Sequence, residues 1–157
     1  MDDISFRKAD IDDLYKVLDL RMVFLNDYKD HEDDDEARDL RSNIENYLKD
    51  ALPGGRFIAY LAYHNGKPIA SGGMEIREVA PRYGSISNGR MGYIMNMYTI
   101  PSYRKMGIGS AILELLKNEA REMGISFLHL HASKDGDSIY RKAGFMDHEL
   151  PELILEL

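Results

Sequence analysis

The chain has 157 residues, of which 44% are hydrophobic and 30% are charged, the usual balance of a folded globular protein. This length suits one domain, and we expect residues 1–157 to form it. A formal net charge of −7 and the lack of a basic stripe exclude nucleic acid as a partner and favour cationic small molecules.

The absence of cysteine excludes further kinds of chemistry. Disulfides, a cysteine-bound acyl intermediate and a cysteine-ligated metal all require that residue, and the sequence contains none. No apolar run approaches the roughly 20 residues needed to cross a bilayer, and the start, Met1 to Ile4, lacks the basic and apolar parts of a secretory signal. We therefore expect a cytoplasmic protein that contacts no membrane and holds no metal.

The N-terminal segment predicts a strand followed by a helix. Ile4 to Lys8 has the alternation of a strand, and Asp10 is typical of the N-cap of a helix that continues to about Tyr28. The apolar stripe of this helix contains Leu14, Leu18, Leu25 and Tyr28. Arg21 falls on the same stripe, where a charge needs either an ion pair or an open cleft. Arg21 and Tyr28 are therefore candidate substrate contacts, with plain packing as the alternative.

An acidic run, Asp30 to Asp35, precedes a second helical pattern that ends near Leu52. Ile44, Tyr47 and Leu48 would form its buried side. Acidic residues suit the N-terminus of a helix, so the run is interpreted as a solvated cap, with a rim that attracts cations as the alternative.

The middle of the chain predicts a β-hairpin. Strands are expected from Arg56 to His64 and from Pro68 to Ile76, and Asn65-Gly66 between them is a strong hairpin signal. The stretch from Val79 to Arg90 is rich in Gly, Ser and Pro, so we expect a loop there, next to a site.

The second half alternates strands with helices. The elements expected there are a strand from Tyr93 to Ile100, a helix from Ile108 to Met123, a strand from Ser126 to Ala132, a short helix from Ser138 to Ala143, and closing strands from Phe145 to His148 and from Glu152 to Leu157. A strand–helix–strand unit implies parallel neighbours, whereas the hairpin implies antiparallel ones. We therefore predict an α/β (α+β) fold with a mixed, mainly antiparallel sheet and helices on both faces.

The loop from Arg104 to Ser110 is the most informative segment. Gly107 and Gly109 allow a tight turn and a close approach to a ligand, and the first N–H groups of the following helix have no partner within it. Such a helix start suits an anion, a pyrophosphate in particular. The Walker and dinucleotide-binding glycine patterns are absent, which disfavours a nucleotide triphosphatase and a dinucleotide fold.

Two motifs together resemble the GNAT superfamily of N-acetyltransferases. Residues 97–109 run Met-Tyr-Thr-Ile-Pro-Ser-Tyr-Arg-Lys-Met-Gly-Ile-Gly, which is similar to the superfamily's acetyl-CoA motif. Downstream, residues 139–145 run Ile-Tyr-Arg-Lys-Ala-Gly-Phe and resemble its second motif, a Tyr on a short helix followed by Gly-Phe. The order of elements over nearly the whole chain agrees with this resemblance.

The resemblance implies how acetyl-CoA would bind. The fourth and fifth strands, parallel to each other, would splay apart and admit the pantetheine arm beside Met97 to Thr99. The pyrophosphate would rest on the N–H groups from Lys105 to Ser110. The cofactor-binding residues implied are Met97, Tyr98, Thr99, Arg104, Lys105, Met106, Gly107, Ile108, Gly109, Ser110 and Ser133. The N–H of Tyr98 would face the thioester oxygen, and Tyr140 would be the general acid that protonates the departing CoA thiolate.

The sequence departs from the superfamily at two positions. Many relatives carry a Glu early in the fourth strand as the base, and here Tyr93 stands at that place. The remaining candidates for a base or for positioning a water are Glu75, Asn96, His129 and His131. His129 and His131 are two residues apart and should share a face. Ser133 replaces the Asn with which many relatives contact the cofactor.

The leading hypothesis is an enzyme that transfers acetyl from acetyl-CoA directly to a primary amine in a ternary complex, with a small cationic molecule as the favoured acceptor. The alternative is a module that senses acyl-CoA without turnover, which the missing strand Glu would explain. A third hypothesis is a partner-binding protein that only inherits the fold, and the presence of Arg104, Gly107 and Gly109 argues against it. Dimerisation is common among similar proteins, so a homodimer is a further expectation.

Overall fold

This computed structural model describes residues 3–29 and 35–157, without the side chains of residues 28 and 29. The described residues form five strands and four α-helices. The strands are β1 (Ile4–Lys8), β2 (Phe57–His64), β3 (Lys67–Glu78), β4 (Arg90–Thr99) and β5 (Leu128–His129). The helices are α1 (Leu14–Lys29), α2 (Asp35–Ala51), α3 (Ile108–Glu122) and α4 (Asp137–Lys142), with 3₁₀ turns at Ile11–Asp13 and Pro101–Tyr103.

The strands lie side by side in chain order, β1-β2-β3-β4-β5. The first three pairings are antiparallel, and the pairing of β4 with β5 is parallel. One core lies between the sheet and α1 with α2, around Leu18, Leu48 and Phe57. The other lies between the sheet and α3, around Met74, Ile112 and Leu116. The predicted mixed sheet with helices on both faces is confirmed.

Local signals in the first half also have their predicted effect. The side chain of Asp10 accepts from the N–H of Asp12 at 2.9 Å, while the side chain of Asp13 accepts from the N–H of Asp10 at 3.3 Å, which is a capping box. Asn65 and Gly66 both have positive φ, 50° and 73°, as a two-residue hairpin turn requires. The helix therefore begins, and the hairpin turns, where the sequence predicts.

Two strands are longer than predicted. β3 continues to Glu78 and β4 begins at Arg90, because Arg77 and Glu78 pair with Met91 and Arg90 at the exposed end of the sheet. The exposed charged side chains of Arg77 and Glu78 conceal the strand pattern there.

The end of the chain differs from the prediction. The regular part of β5 covers Leu128 and His129 and not Ser126 to Ala132, and the expected closing strands, Phe145 to His148 and Glu152 to Leu157, do not form in the described structure. A strand needs a neighbouring backbone, and so short a β5 offers little edge, while Pro151 has no N–H to donate. The side chains of Leu150, Leu153, Ile154, Leu155 and Leu157 are correspondingly exposed.

No α-helix in the described ranges is both long enough and apolar enough to pass through a membrane.

Candidate active site

A β-bulge in β4 reverses the direction of its backbone groups. Ser71 pairs with Tyr98 but Gly73 pairs with Met95, so β4 contains one residue more than β3 over this stretch. Before the bulge, the N–H of Gly92 donates to the carbonyl of Phe127 at 3.0 Å; after it, the N–H of Ile100 donates to Ile69 on β3 at 3.0 Å. Because alternate residues of a strand point the same way, the N–H of Tyr98 faces β3 and the backbone of Thr99 faces β5.

This register corrects one sequence-based expectation. The N–H of Tyr98 is used in the β3 ladder and does not face the side on which the thioester would lie. The carbonyl of Thr99 lies on the outer side, where it accepts a hydrogen bond from Arg104 Nε at 3.0 Å. The backbone of Thr99 therefore faces the open side of β4, and the positive φ of Asn96, 57°, marks the bulge that brings this about.

β4 and β5 separate beyond one pair of residues. Their register consists of Gly92 with Leu128 and Tyr93 with His129. From Ile94 onward the β5 side of β4 has no strand partner within the described residues. An extended ligand could pair with this edge as an added strand would.

The loop at the open end of β4 presents unpaired N–H groups. Lys105 and Gly107 both have positive φ, 65° and 80°, and Gly107 is the N-cap of α3 without a side-chain cap. A Cβ built at Gly109 would meet only Ile139 Cδ1, at the ordinary distance of 3.7 Å. Packing within the chain therefore does not require glycine at 109, and the bare backbone leaves room for an anionic group over the helix start.

The side chain of Arg104, which belongs to the loop, contacts residues of β4. Besides its bond to Thr99, its guanidinium lies 5.7 Å from the centre of the Tyr98 ring and 4.0 Å from Asp27 of α1. The hydroxyl of Tyr98 donates to the same Asp27 carboxylate at 2.9 Å. The side chains thus connect the predicted pyrophosphate loop with α1.

Tyr140 is held by the end of α4. The carbonyl of Tyr140 accepts a hydrogen bond from the N–H of Phe145 at 3.0 Å, and Gly144 between them has a φ of 97°. The rings of Tyr140 and Phe145 pack edge to face with their centres 6.0 Å apart. Burial raises the pKa of Tyr140, and the phenol of Tyr93 raises it further. Because its pKa is raised, the phenol is protonated near neutral pH, and the Tyr140 hydroxyl makes no hydrogen bond to another described residue.

Ser133 lies at the turn that leads into α4. Its hydroxyl oxygen accepts from the N–H of Gly136 at 3.2 Å. The side chain therefore stabilises the turn before α4, and its own O–H proton is still available to donate.

Tyr93 and four side chains around it lie on the face of the sheet that α1 and α2 cover; we call these five side chains the Tyr93 cluster. They are Glu75, Arg77, Tyr93, His129 and His131. The rings of His129 and His131 lie 4.8 Å and 5.7 Å from that of Tyr93, so they share a face as predicted.

Within the cluster, each candidate base has a different environment. Glu75 accepts from Arg77 Nε at 2.6 Å and from the Tyr47 hydroxyl at 3.4 Å. Nε2 of His129 is buried without a hydrogen-bond partner among the described residues, and burial, with Arg77 and His131, lowers the pKa of this ring. His131 instead uses both ring nitrogens, with Tyr93 at 2.9 Å and with Glu152 at 2.7 Å.

Arg21 and Asn96 close the cluster on the side of α1. The guanidinium of Arg21 donates to the side-chain oxygen of Asn96, and burial lowers the Arg21 pKa while the charges of Tyr47, Tyr93 and Glu75 oppose this. Burial and Glu75 raise the pKa of Tyr47 to about 12. Arg21 thus borders the cleft, and Asn96 is held by Arg21, which leaves it less free to position a water.

The sequence does not indicate that Arg77, Tyr47 or Glu152 belong to the site. It indicates Tyr93 only as the residue at the position where many relatives have a Glu. Glu152 comes from a segment without regular structure, so no periodicity marks it. Two predictions fall outside the described residues, namely the side chain of Tyr28 and the acidic run over 30–34. The described part contains no group of three or more His, Asp or Glu side chains that could hold a metal.

A separate cavity of about 300 Å³ lies at the β2–β3 hairpin. It is lined by His64, Asn65, Lys67, Pro68, Ile69, Ile100 and Tyr103. It shares no side chain with the Tyr93 cluster or with Tyr140.

Comparison with known proteins identifies the family of the chain. Residues 14–145 match the family described as Acetyltransferase (GNAT) family. A Bacillus subtilis (strain 168) protein that carries an acetyltransferase name is 32% identical over 85 residues, 54% of this chain and 50% of that protein. The chain matches about half the length of the curated relatives it resembles.

Two solved structures are similar over nearly their whole length. A Clostridium acetobutylicum protein, described as a predicted acetyltransferase and solved with acetyl-CoA, has a TM-score of 0.85 and 33% identity over 96% of each chain. A GCN5-related N-acetyltransferase from Ralstonia eutropha JMP134 has a TM-score of 0.84 and 26% identity over 97% of this chain and 98% of its own. With the family match over 14–145, the chain therefore belongs to the GNAT acetyltransferase family.

Proposed function

We propose that this protein transfers the acetyl group of acetyl-CoA to a primary amine by direct attack in a ternary complex. The observation that carries the proposal is the separation of β4 from β5 beyond Tyr93 and His129, next to a loop with left-handed Lys105 and Gly107. The open edge of β4 leads directly to the anion site of this loop, so one extended ligand could contact both. The solved relative with acetyl-CoA, at 33% identity, supports the same ligand here.

The residues have definite roles in this reaction. The backbone of Thr99 pairs with the pantetheine arm, and the N–H groups from Lys105 to Ser110 hold the pyrophosphate. As the amine nitrogen bonds to the thioester carbon and the carbon–sulfur bond breaks, Tyr140 gives its proton to the sulfur. A phenol is suited to this because it stays protonated at neutral pH yet can donate to a thiolate.

The acceptor we favour is a small cationic amine. Glu75 and the Tyr93 ring already bind one cation of the chain, because the Arg77 guanidinium lies 4.3 Å from the ring centre and 2.6 Å from the carboxylate. An amine acceptor could take the place of the exposed Arg77 side chain with the same partners. The net charge of −7 also attracts cations over distance.

The test is release of CoA from acetyl-CoA in the presence of amines, polyamines and amino acids, detected with a thiol reagent. The protein has no cysteine to react with it. Tyr140→Phe should lower the rate at least about tenfold, or about 1.4 kcal/mol of transition-state stabilisation. Tyr83→Phe is the matched control, because Tyr83 is fully exposed in the loop before β4.

Calorimetry with acetyl-CoA separates the alternatives. Binding without turnover on any amine would favour an acyl-CoA sensor, which the Tyr at position 93 would explain. Failure to bind acetyl-CoA would overturn the proposal.

A further inference from the structure

Tyr93 is placed to meet an acceptor amine. It belongs to the last residue pair before β4 and β5 separate, and its ring faces the cleft side of the sheet. It is also close enough to Tyr140 for the charge of one phenol to raise the pKa of the other. An amine that attacks a thioester held in the opening beyond this residue pair therefore approaches beside Tyr93.

A chain of hydrogen bonds leads from Tyr93 to solvent. The Tyr93 hydroxyl lies 2.9 Å from Nδ1 of His131, and Nε2 of His131 lies 2.7 Å from a Glu152 carboxylate oxygen. An ionised carboxylate can only accept, so Nε2 carries a hydrogen and donates it. In the neutral ring Nδ1 is then an acceptor, and Tyr93 must be the donor to it.

We propose that Tyr93 and His131 form a proton relay that removes the proton of the acceptor ammonium, with Glu152 as the positioning residue that fixes the His131 ring. The inference rests on the proposed acetyl transfer. It assigns a base for that reaction in a protein that has Tyr93 at the strand position where many relatives have a Glu.

The proton balance is complete without any further reactant. The oxygen of Tyr93 takes a proton from the ammonium as its own proton passes to Nδ1 of His131. The amine is then neutral and nucleophilic, Tyr93 is again a neutral phenol, and His131 is a cation beside the Glu152 carboxylate. The His131 side chain is 61% exposed, so it returns its extra proton to water before the next turnover.

The other candidates serve less well. Glu75 is already bound to Arg77, and Nε2 of His129 is buried away from solvent. The charged and titratable groups that face the relay are Arg21 on α1, Tyr47 on α2, Glu75 and Arg77 on β3, His129 on β5, Tyr140 on α4, and Glu152 in the C-terminal segment. Among these, Glu152 is the one bound to His131.

The experiment compares Tyr93→Phe and His131→Gln with wild type, using the amine that the panel identifies. Near neutral pH, kcat/KM should fall at least about tenfold in each variant. Well above the pKa of the amine, the acceptor is already neutral, so the variants should approach the wild-type rate. Affinity for acetyl-CoA should stay the same. Tyr83→Phe and His148→Gln are the matched controls, because Tyr83 is fully exposed and His148 bonds only to Leu150.

Glu152 is tested by the state of the His131 ring. Nitrogen NMR of the wild-type protein should show that the neutral form of the His131 ring carries its hydrogen on Nε2. Glu152→Gln should abolish this preference for one tautomer and shift the pH–rate profile. Glu149→Gln, in the same exposed segment, should do neither.

The outcomes separate this inference from the proposed function. If wild type turns over an amine and both relay variants keep its rate and pH profile, the relay is wrong and the acetyl transfer stands. A uniform loss at all pH values would also refute the relay, because it would indicate a structural effect. If wild type turns over no amine, the proposed function itself fails.

Discussion

Gly92 on β4 and Ile100 just beyond its end are an even number of residues apart, yet their N–H groups point to opposite sides, toward Phe127 and toward Ile69. The extra residue of the β4 bulge causes this reversal. β4 pairs with β3 on both sides of the bulge, while its other side changes from pairing with β5 to being open.

The first prediction concerns the direction of the backbone N–H groups of Tyr98 and Thr99. In the free protein the amide of Thr99 should exchange with solvent at least about tenfold faster than that of Tyr98, which bonds within the sheet. Acetyl-CoA should slow the exchange of Thr99 and leave Tyr98 unchanged. Hydrogen exchange followed by NMR checks this, and slowing at Tyr98 in place of Thr99 would contradict the register.

The second prediction separates stability from binding at the two loop glycines. Gly107→Ala should cost about 1–2 kcal/mol of stability, because φ is 80° there. Gly109→Ala should instead gain up to about 1 kcal/mol, since its Cβ meets only an ordinary contact and Ala favours a helix. Both changes should weaken acetyl-CoA binding. Urea unfolding and calorimetry test this pair, and unchanged affinity in Gly109→Ala would remove Gly109 from the pyrophosphate site.

The third prediction concerns alkaline pH. Because burial and Tyr93 raise the pKa of Tyr140, the phenol keeps its proton until the pH exceeds the ordinary tyrosine value of about 10. The ratio of wild-type kcat to that of Tyr140→Phe should therefore remain constant from neutral pH to about 10. A steady decline of this ratio well below that pH would show that Tyr140 is not the proton donor.

The fourth prediction concerns the buried carboxylate of Asp13, which is 1% exposed. It accepts from Arg7 at 2.6 Å, from Lys16 at 2.7 Å and from Tyr63 at 3.3 Å. Burial alone would raise the pKa of Asp13, but the hydrogen bonds from Lys16, the Asp10 backbone and Arg7 hold it below its usual value. Asp13→Asn should therefore cost about 1.5–3 kcal/mol near neutral pH.

The pH dependence follows from the sign of that shift. A lowered carboxyl pKa stabilises the fold above the unfolded value of about 3.9, and this contribution disappears as the pH falls through the folded value. The difference between wild type and Asp13→Asn should thus shrink in acid. Urea unfolding across this range measures it, with Asp12→Asn as the exposed neighbouring control; a constant difference would contradict the assignment.

Features that depend on neighbours in sequence could be predicted from sequence. The cap at Asp10, the turn at Asn65-Gly66 and the glycines before α3 act through bonds and dihedral angles within a few residues. The second motif is equally local, since Gly144 and Phe145 hold Tyr140 through the end of its own helix. Family membership followed from these patterns together.

The sequence by itself thus determined the mixed fold, the family and the position of Tyr140, because short-range geometry and hydrophobic periodicity specify them. Only the tertiary structure decided that Thr99 and not Tyr98 faces the opening, and that His131 joins Tyr93 to Glu152. Register is set by the packing of the whole sheet, and one bulged residue reverses every group beyond it. Contacts between distant segments leave no period in the chain, so they emerge only when the fold brings those segments together.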